Sequence, residues 1–373
     1  MFFHIAGQHQ ENYPCHWQLG SFCVSTDPGW FMTIRGDATI LYKGYVDSVP
    51  IETVLDQIVE QHDPWLFGNF CAIVLHQEHL HIKSDRYRSF PIYVNPTHIN
   101  NLIPSEHVAW TDSLLTVHAD WRIQEDKFDL SVSNNLDTST VDQIDHLLVN
   151  KISAFLANNT LPLRVFLSGG VDTLLLYSYI RRLGADHQLV WNSHTDLDNF
   201  YLANSGDIQK YWGYRQIHHW QESCVLASGA PGDEFMLRSP TTANQYLLNH
   251  GTSILEQLTY RPDCLHRDYF LKHADLFNSQ TAGDAAELCN TVVNDWQHWH
   301  LGHTLTWTPF RDLELFKLCL SLPFELAQGQ IMDSAVSREL IERNVPGLTQ
   351  VLSDQKNTGN VMRNLRVLLN QQC

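Results

Sequence analysis

A glycine turn between an apolar run and a helical pattern carries the residues best suited to bind a phosphate. Residues 165–167 form a short apolar run that predicts a buried parallel strand, and residues 173–182 show helical spacing. Between them, Gly169 and Gly170 lack a Cβ, so a phosphate can approach the backbone closely. A strand, a glycine turn and a helix together point backbone N–H groups and a positive helix end at an anion.

Three side chains of this turn add to that anion-binding chemistry. Ser168 and Thr173 can donate hydroxyl hydrogen bonds, and Asp172 can hold Mg²⁺, which binds phosphates while keeping several waters. The turn lacks the G-x-x-x-x-G-K-[ST] spacing of a Walker loop. On these residues alone, an ordinary glycine-rich β–α turn is the alternative interpretation.

The turn resembles the S-G-G-x-D-S pyrophosphate loop of the N-type ATP pyrophosphatases. Those enzymes split ATP between its α- and β-phosphates, form an acyl adenylate and let a nucleophile displace AMP. The resemblance implies ATP and Mg²⁺ as cofactors and Asp172 as a metal ligand. It also implies a set of pyrophosphate-binding residues: Leu167, Ser168, Gly169, Gly170, Val171, Asp172 and Thr173.

A second segment resembles the other ATP-site signature of the asparagine synthetase family, S-G-D-G-G-D-E-L-F. Within residues 228–235, the positions that fit it are Gly229, Gly232, Asp233 and Glu234, and those that depart from it are Ala230 and Pro231. The resemblance implies phosphate contacts from the two glycines and a second Mg²⁺ carboxylate from Asp233. Taken alone, the segment would also fit a helix start, where Asp and Glu are favoured.

Two further residues of the ATP site depend on the resemblance. Asn192 lies at the carboxyl end of the predicted strand 189–193, where a family member binds adenine. Lys356 lies in a stretch similar to R-x-K-x-G, whose lysine stabilises the phosphate and the acyl-transfer oxyanion in the family. We therefore assign Lys356 as the catalytic candidate, with a solvated loop lysine as the alternative.

The first 125 residues are dominated by short strand-like runs separated by turn signals. Residues 67–75 and 80–93 resemble the glutaminase domain of asparagine synthetases, which implies a class II amidotransferase domain of N-terminal-nucleophile type with αββα layers. Working members carry a cysteine at residue 2, whose thiolate attacks glutamine. Here that residue is Phe2, so we expect the fold without glutamine hydrolysis.

The predicted fold class is α/β with two domains. We expect the degenerate amidotransferase-like domain at residues 1–125, a polar linker at 126–138 and an asparagine-synthetase-like ATP-binding domain at 139–373, which contains a parallel sheet. From about residue 239 onward the pattern predicts helix to the C-terminus. Residues 307–323 match a family segment closely, but Leu305 and Trp307 replace the Glu and Arg of an upstream substrate-binding segment.

The amino-acid composition argues against several functional classes. The 24 basic and 41 acidic residues give a formal charge of −17, which argues against a broad nucleic-acid surface or an anionic membrane surface. The 8 cysteines include no C-x-x-C pair, which favours a reduced, cytoplasmic protein. No apolar stretch reaches the length of a membrane span. A homodimer is compatible with the sequence, which is otherwise silent on oligomeric state.

Three functions are consistent with these features. The first is an AMP-forming ligase that adenylates a small-molecule or peptide carboxylate and joins it to an amine as an amide or lactam. The second is a pseudoenzyme that keeps the fold as a binding or assembly module, favoured by Phe2, Ala230 and Leu305. The third is a tRNA-modifying enzyme, against which the acidic charge and the lack of paired cysteines count.

Overall fold

A computed structural model describes most of the chain, in the ranges 3–11, 13–46, 51–59, 68–85, 92–100, 107–109, 114–126, 138–167, 169–191, 222–230, 232–272 and 304–351. The chain divides into two compact units. The first unit comprises Met1–Leu130, Tyr214–Val225 and Asn290–Trp307; the second comprises Ser131–Gly213, Leu226–Cys289 and Thr308–Cys373. The predicted domain boundary at residues 126–138 stays a prediction.

The N-terminal part of the first unit is built from short strands and one helix, within the ranges described. The helix is α1 (Ile51–Val59). The strands are β1 (Phe3–Ala6), β2 (Cys15–Leu19), β3 (Phe22–Thr26), β4 (Phe31–Arg35), β5 (Ala38–Val46), β6 (Gly68–His76), β7 (His79–Ser84), β8 (Ile92–Asn95), β9 (His98–Asn100), β10 (His107–Ala109), β11 (Leu114–Val117) and β12 (Ile123–Asp126).

These strands form two antiparallel sheets. One has the order β10-β8-β9-β1-β3-β2 and the other the order β12-β11-β7-β6-β5-β4. Side chains of both sheets share one hydrophobic core, for example Phe3 from β1 and Ile73 from β6. The alternate residues of β6, such as Phe70 and Ala72, face a second cluster that contains Leu55 of α1. Alternate side chains of β6 therefore point to opposite faces of its sheet. One face packs against the other sheet and the other face packs against α1, which gives one helical layer and two sheet layers.

The second part of the chain combines strands with helices within the described ranges. The strands are β13 (Leu163–Leu167), β14 (Gln188–Trp191), β15 (Cys224–Ala227) and β16 (Thr304–Trp307), in the sheet order β14-β13-β15-β16. The helices are α2 (Val141–Asn158), α3 (Val171–Arg182), α4 (Gly232–Phe235), α5 (Pro240–Asn249), α6 (Ile254–Tyr260), α7 (Arg267–Lys272), α8 (Leu313–Leu320), α9 (Phe324–Asp333) and α10 (Ala335–Asn344), followed by a 3₁₀ turn (Leu348–Val351). Among the described helices, none is long and apolar enough to cross a bilayer.

The α/β class predicted from the sequence is confirmed. Strand β13 pairs with β14 in parallel, with Leu167 opposite Trp191, as the predicted parallel sheet requires. Within the ranges described, β16 interrupts a region that the sequence analysis predicted as helical, so that prediction was wrong at residues 304–307. The predicted strand at 216–219 and helix at 201–212 lie outside the described residues, and the αββα and PP-loop assignments stay predictions.

The residues just before α2 form its cap and also bind the C-terminal end of α8. Thr140 caps α2: its hydroxyl accepts from Gln143 N at 3.3 Å, and the Gln143 side chain accepts from Thr140 N at 2.8 Å. The preceding residue, Ser139, donates its hydroxyl to Leu318 O at 2.5 Å and its amide to Ser321 O at 3.0 Å. The C-terminal end of α8 therefore fixes the start of α2.

Helix α3 is held along its length by two other helices. The Tyr179 hydroxyl donates to Asp145 of α2 at 2.7 Å, and Asn344 of α10 donates to the Ser178 hydroxyl at 3.0 Å. Most residues of α3 are buried, which is expected of a helix packed on both sides. Gly184 follows α3 with a φ of +66°, the left-handed conformation that commonly ends a helix. These contacts set the direction in which the first turn of α3 points.

A buried histidine of β1 makes the stability of the first unit depend on pH. His4 is 6% exposed and stacks on His98 with ring centroids 5.0 Å apart. Burial, together with the nearby His98, lowers the pKa of His4 to about 4. A histidine with a lowered pKa in the folded state binds protons more readily when unfolded, so its neutral form stabilises the fold above pH 6.5, and that stability is lost as pH falls toward 4.

We predict that His4→Leu flattens the loss of stability between pH 7 and pH 4. The shift of the His4 pKa corresponds to about 3 kcal/mol of pH-dependent stability. Urea unfolding monitored by tryptophan fluorescence measures the difference, with His146→Leu at an exposed position as the control. An equal pH dependence in the wild type and in His4→Leu would contradict the role of this ring.

Candidate functional site

The glycine turn predicted from the sequence leads from β13 into α3. Gly169 has a φ of +86°, a conformation that disfavours every residue with a side chain. Gly170 is the N-cap residue of α3. Because glycine has no side chain, it makes no side-chain hydrogen bond to the first amide groups of the helix. The Thr173 hydroxyl donates to Gly170 O at 3.0 Å, so it tightens the turn. The result is a helix N-terminus at the end of a buried strand, the geometry expected for an anion site.

The second predicted segment forms a compact turn between β15 and α4. Gly232 N donates to Gly229 O at 2.9 Å, and Ala230 N donates to the Ser228 hydroxyl at 3.3 Å. These bonds bring the first residues of α4 directly after the end of the strand. The sequence resemblance had placed the second acidic residue, Asp233, in this first turn, and the structure has it there.

Two glycines let the two segments touch. A Cβ on Gly229 would lie 2.4 Å from Thr173 N and 2.5 Å from the carbonyl carbon of Asp172. A Cβ on Gly232 would lie 2.5 Å from Asp172 Oδ1. Distances below 3 Å between non-bonded heavy atoms are strongly repulsive, so no other residue fits at Gly229 without moving the start of α3, and none fits at Gly232 without moving the Asp172 side chain. The close approach of the two chain segments depends on both glycines.

An arginine joins the carboxylates of the two segments. Arg238 Nη2 contacts Asp172 Oδ1 and lies 2.6 Å from Asp233 Oδ1. The side chain of Arg238 is 3% exposed and that of Asp172 is 16% exposed, whereas that of Asp233 is 40% exposed. The guanidinium is therefore buried beneath the two carboxylates, and the Asp233 end of the cluster faces solvent.

The other side of the Arg238 guanidinium is held by a neutral pair. Arg238 Nη1 donates to the Ser334 hydroxyl at 3.1 Å, and His266 Nε2 lies 2.7 Å from the same hydroxyl. Burial, then the charge of Arg238, lower the pKa of His266 to about 4, so the ring is neutral at pH 7 and can accept from Ser334. The hydroxyl thus accepts from the guanidinium and donates to the imidazole.

Backbone geometry brings Arg238 back beside Asp233. Arg238 N and Ser239 N both donate to Asp233 O, at 2.7 and 2.8 Å. Leu237, which precedes Arg238, has a φ of +61°. This backbone conformation costs about 1–2 kcal/mol for a residue with a bulky side chain. Ser239 then caps α5, because its hydroxyl accepts from Thr242 N at 3.3 Å. The strained turn is maintained by these bonds and fixes the position of Arg238.

The charges of the cluster do not balance. Burial raises the pKa of Asp172 well above its usual value; the charge of Arg238 opposes this shift and the charge of Asp233 adds to it. Burial alone would lower the pKa of Arg238, but Asp172 and Asp233 raise it above its usual value, so the guanidinium stays charged. Among the described residues, one cation faces two acidic side chains, and the raised pKa of Asp172 means that the pair readily takes up further positive charge, such as a proton.

The two carboxylates fit a magnesium ion only together with phosphate. Mg²⁺ in proteins takes one or two carboxylates, the oxygens of a phosphate ligand and several waters. Within the described ranges, no group of three His, Cys, Asp or Glu side chains is placed to hold a metal. Asp172 and Asp233 would therefore be its protein ligands beside the phosphates, and Arg238 already contacts both.

The structure brings most of the predicted residues together. Leu167 ends β13, the stretch Gly169–Thr173 forms the turn and the start of α3, and the second segment contributes Gly229, Gly232 and Asp233. Ser168, Asn192 and Lys356 lie outside the described residues, so their roles stay predictions.

The sequence analysis missed Arg238, its partner Ser334 and His266. One signal was available: Arg238 is the only Lys or Arg between Arg215 and Arg261, directly after the apolar run 235–237. A lone cation beside an apolar run is a candidate for a buried ion pair.

Comparisons with known proteins leave the family open. No protein-family model matches the chain, and no curated protein matches it by sequence. Among solved structures, it is similar to the glutamine phosphoribosylpyrophosphate amidotransferase from B. subtilis complexed with ADP and GMP, at 8% identity and a TM-score of 0.23. That likeness covers 68% of this chain and 73% of the other, and at this score it carries no argument about fold or function.

We predict that Gly229→Ala destabilises the protein by about 3 kcal/mol or more, because the new methyl group overlaps the backbone at the start of α3. Chemical denaturation measures the change. Gly7→Ala is the matched control, since a Cβ there meets nothing within 4 Å and should change stability by less than about 0.5 kcal/mol. Equal effects of the two substitutions would contradict the close approach of the segments.

Proposed function

We propose that this protein is an ATP-dependent, AMP-forming ligase that adenylates a carboxylate and forms an amide or lactam. The observation that carries the proposal is the contact between the two ATP-site segments. Asp172 and Asp233, which are 61 positions apart in the sequence, share one cation at the N-terminus of α3. A glycine turn and two converging carboxylates are what a metal–pyrophosphate site needs.

Each part of the site has a role in this proposal. The turn at Gly169 and Gly170 offers backbone N–H groups to the leaving pyrophosphate. Asp172 and Asp233 would hold Mg²⁺, which when bound neutralises charge on the phosphate oxygens. Lys356 is the proposed lysine that stabilises charge in both half-reactions, and Asn192 contributes to the adenine site, both by resemblance.

The proposed reaction has two displacements. A carboxylate oxygen of the substrate attacks the α-phosphorus of ATP, a P–O bond forms, and the bond to pyrophosphate breaks. An amine nitrogen then attacks the acyl carbon, the amide C–N bond forms, AMP leaves with the electrons of the C–O bond, and the amine loses a proton. Adenylation supplies a good leaving group, without which a carboxylate does not form an amide at neutral pH.

In the same proposal, residues 1–125 form an amidotransferase-like domain that hydrolyses no glutamine. Its two packed antiparallel sheets with a helix on one face agree with three of the four αββα layers. Phe2 cannot act as a nucleophile. The amine must then come from free ammonia, a separate amine or a group within the substrate.

A second candidate is a binding or assembly module that uses the same fold. The contact of Arg238 with both acidic residues favours it, because a guanidinium can satisfy the carboxylates without a metal. This candidate predicts that ATP is not consumed, whereas the ligase turns ATP into AMP and pyrophosphate.

We predict that ATP with Mg²⁺ raises the thermal stability of the wild type and not of Asp172→Asn. A ligand at about 100 times its dissociation constant adds about 2.7 kcal/mol of stability. Asp186→Asn, an exposed carboxylate just after α3, is the control and should respond as the wild type does. Exchange of labelled pyrophosphate into ATP, in the presence of a panel of carboxylates, then tests the chemistry.

The possible results separate the two candidates. Stabilisation by ATP that disappears in Asp172→Asn, together with pyrophosphate exchange, supports the ligase. Stabilisation without exchange for any carboxylate supports the binding module. No stabilisation at millimolar ATP would contradict nucleotide binding and therefore the ligase.

A further inference from the structure

Arg238 is positioned where a divalent cation would contact the protein. Its Nη2 atom contacts the carboxylate oxygens of both Asp172 and Asp233. These are the two side chains to which the proposed function assigns Mg²⁺. A guanidinium and a metal ion cannot both bind the same carboxylate oxygens without loss of affinity, because the two cations repel each other at this distance.

The guanidinium is also not fully satisfied by hydrogen bonds. Arg238 Nε is buried without a hydrogen-bond partner among the described residues, whereas Nη2 and Asp172 Oδ1 contact each other as an ion pair. The carboxylates of Asp172 and Asp233 are thus the groups that compensate the charge of Nη2. The carboxylates stabilise a buried arginine by compensating its charge. A second cation at the same oxygens therefore competes directly with the arginine.

We propose that Arg238 is a resident counter-ion that keeps the Asp172–Asp233 pair from binding a divalent cation on its own. Free Mg²⁺ or Mn²⁺ then binds weakly, and a metal enters only with a phosphate ligand, which supplies negative charge to both cations. Arg238 is a positioning residue in this proposal, because it orients the two carboxylates and does not react. The inference depends on the carboxylate pair described above and is tested without nucleotide, so it can fail independently of the ligase.

The test is binding of Mn²⁺ to metal-stripped protein, followed by the loss of the free Mn²⁺ signal in electron paramagnetic resonance. The wild type is expected to bind no Mn²⁺ at this site below millimolar concentration. Arg238→Met removes the competing charge and is expected to bind on the order of tenfold more tightly or better. The double variant Asp172→Asn with Arg238→Met should lose the gain.

Thermal unfolding provides a second measurement. Arg238→Met leaves two carboxylates close together without their cation, so it should be less stable than the wild type in EDTA and should recover on adding Mg²⁺. The wild type should not respond to Mg²⁺ alone.

If Arg238→Met does not fold, Arg238→Lys keeps the charge but loses the planar fork that reaches two carboxylates. It should then bind Mn²⁺ with intermediate affinity. The proposal is overturned if the wild type binds Mn²⁺ as tightly as the Arg238 variants. It is equally overturned if the folded variants gain no affinity.

Discussion

The contact between the start of α3 and the turn after β15 is the constraint on which the rest of the site depends. Gly229 and Gly232 lie so close to Asp172 that a single methyl group at either position would overlap it. This approach places two carboxylates from distant parts of the sequence around one guanidinium. The helix N-terminus, the glycine turn and the acidic pair become one site only because these backbones touch.

The cost of that arrangement is electrostatic. Two carboxylates are brought together near the protein interior, and within the part of the chain that the structure describes one cation, Arg238, is placed against both. Removing one partner from such a buried group typically costs about 3–5 kcal/mol, because the remaining charge is left uncompensated. The strained Leu237 backbone adds to the cost. Strain and unbalanced charge tend to collect at functional sites, which is consistent with a role in binding a charged ligand.

Local sequence signals predicted the local structure well. The strand before the glycine turn and helix α3 were both predicted from residue types and spacing. They could be predicted because each depends on neighbours a few residues away. Strand β16 was missed, although Thr304 to Trp307 alternates β-branched and large apolar residues, since a short run of this kind is ambiguous between helix and strand.

Long-range features could not be predicted from the sequence. The resemblance paired Asp172 with Asp233, but nothing in the local pattern indicated that Arg238 would contact both, or that Ser334 and His266 would hold its other side. Those contacts join positions up to 96 residues apart. Their geometry follows from tertiary packing, which residue types alone do not determine.

The most direct test of this account is hydrogen–deuterium exchange of the amide groups with and without ATP and Mg²⁺. If the two segments form one nucleotide site, ligand should slow exchange in residues 169–174 and 228–238 together and leave the strands of the N-terminal sheets unchanged. Protection of only one segment, or of neither at saturating ATP, would contradict the claim that these segments form a single phosphate site.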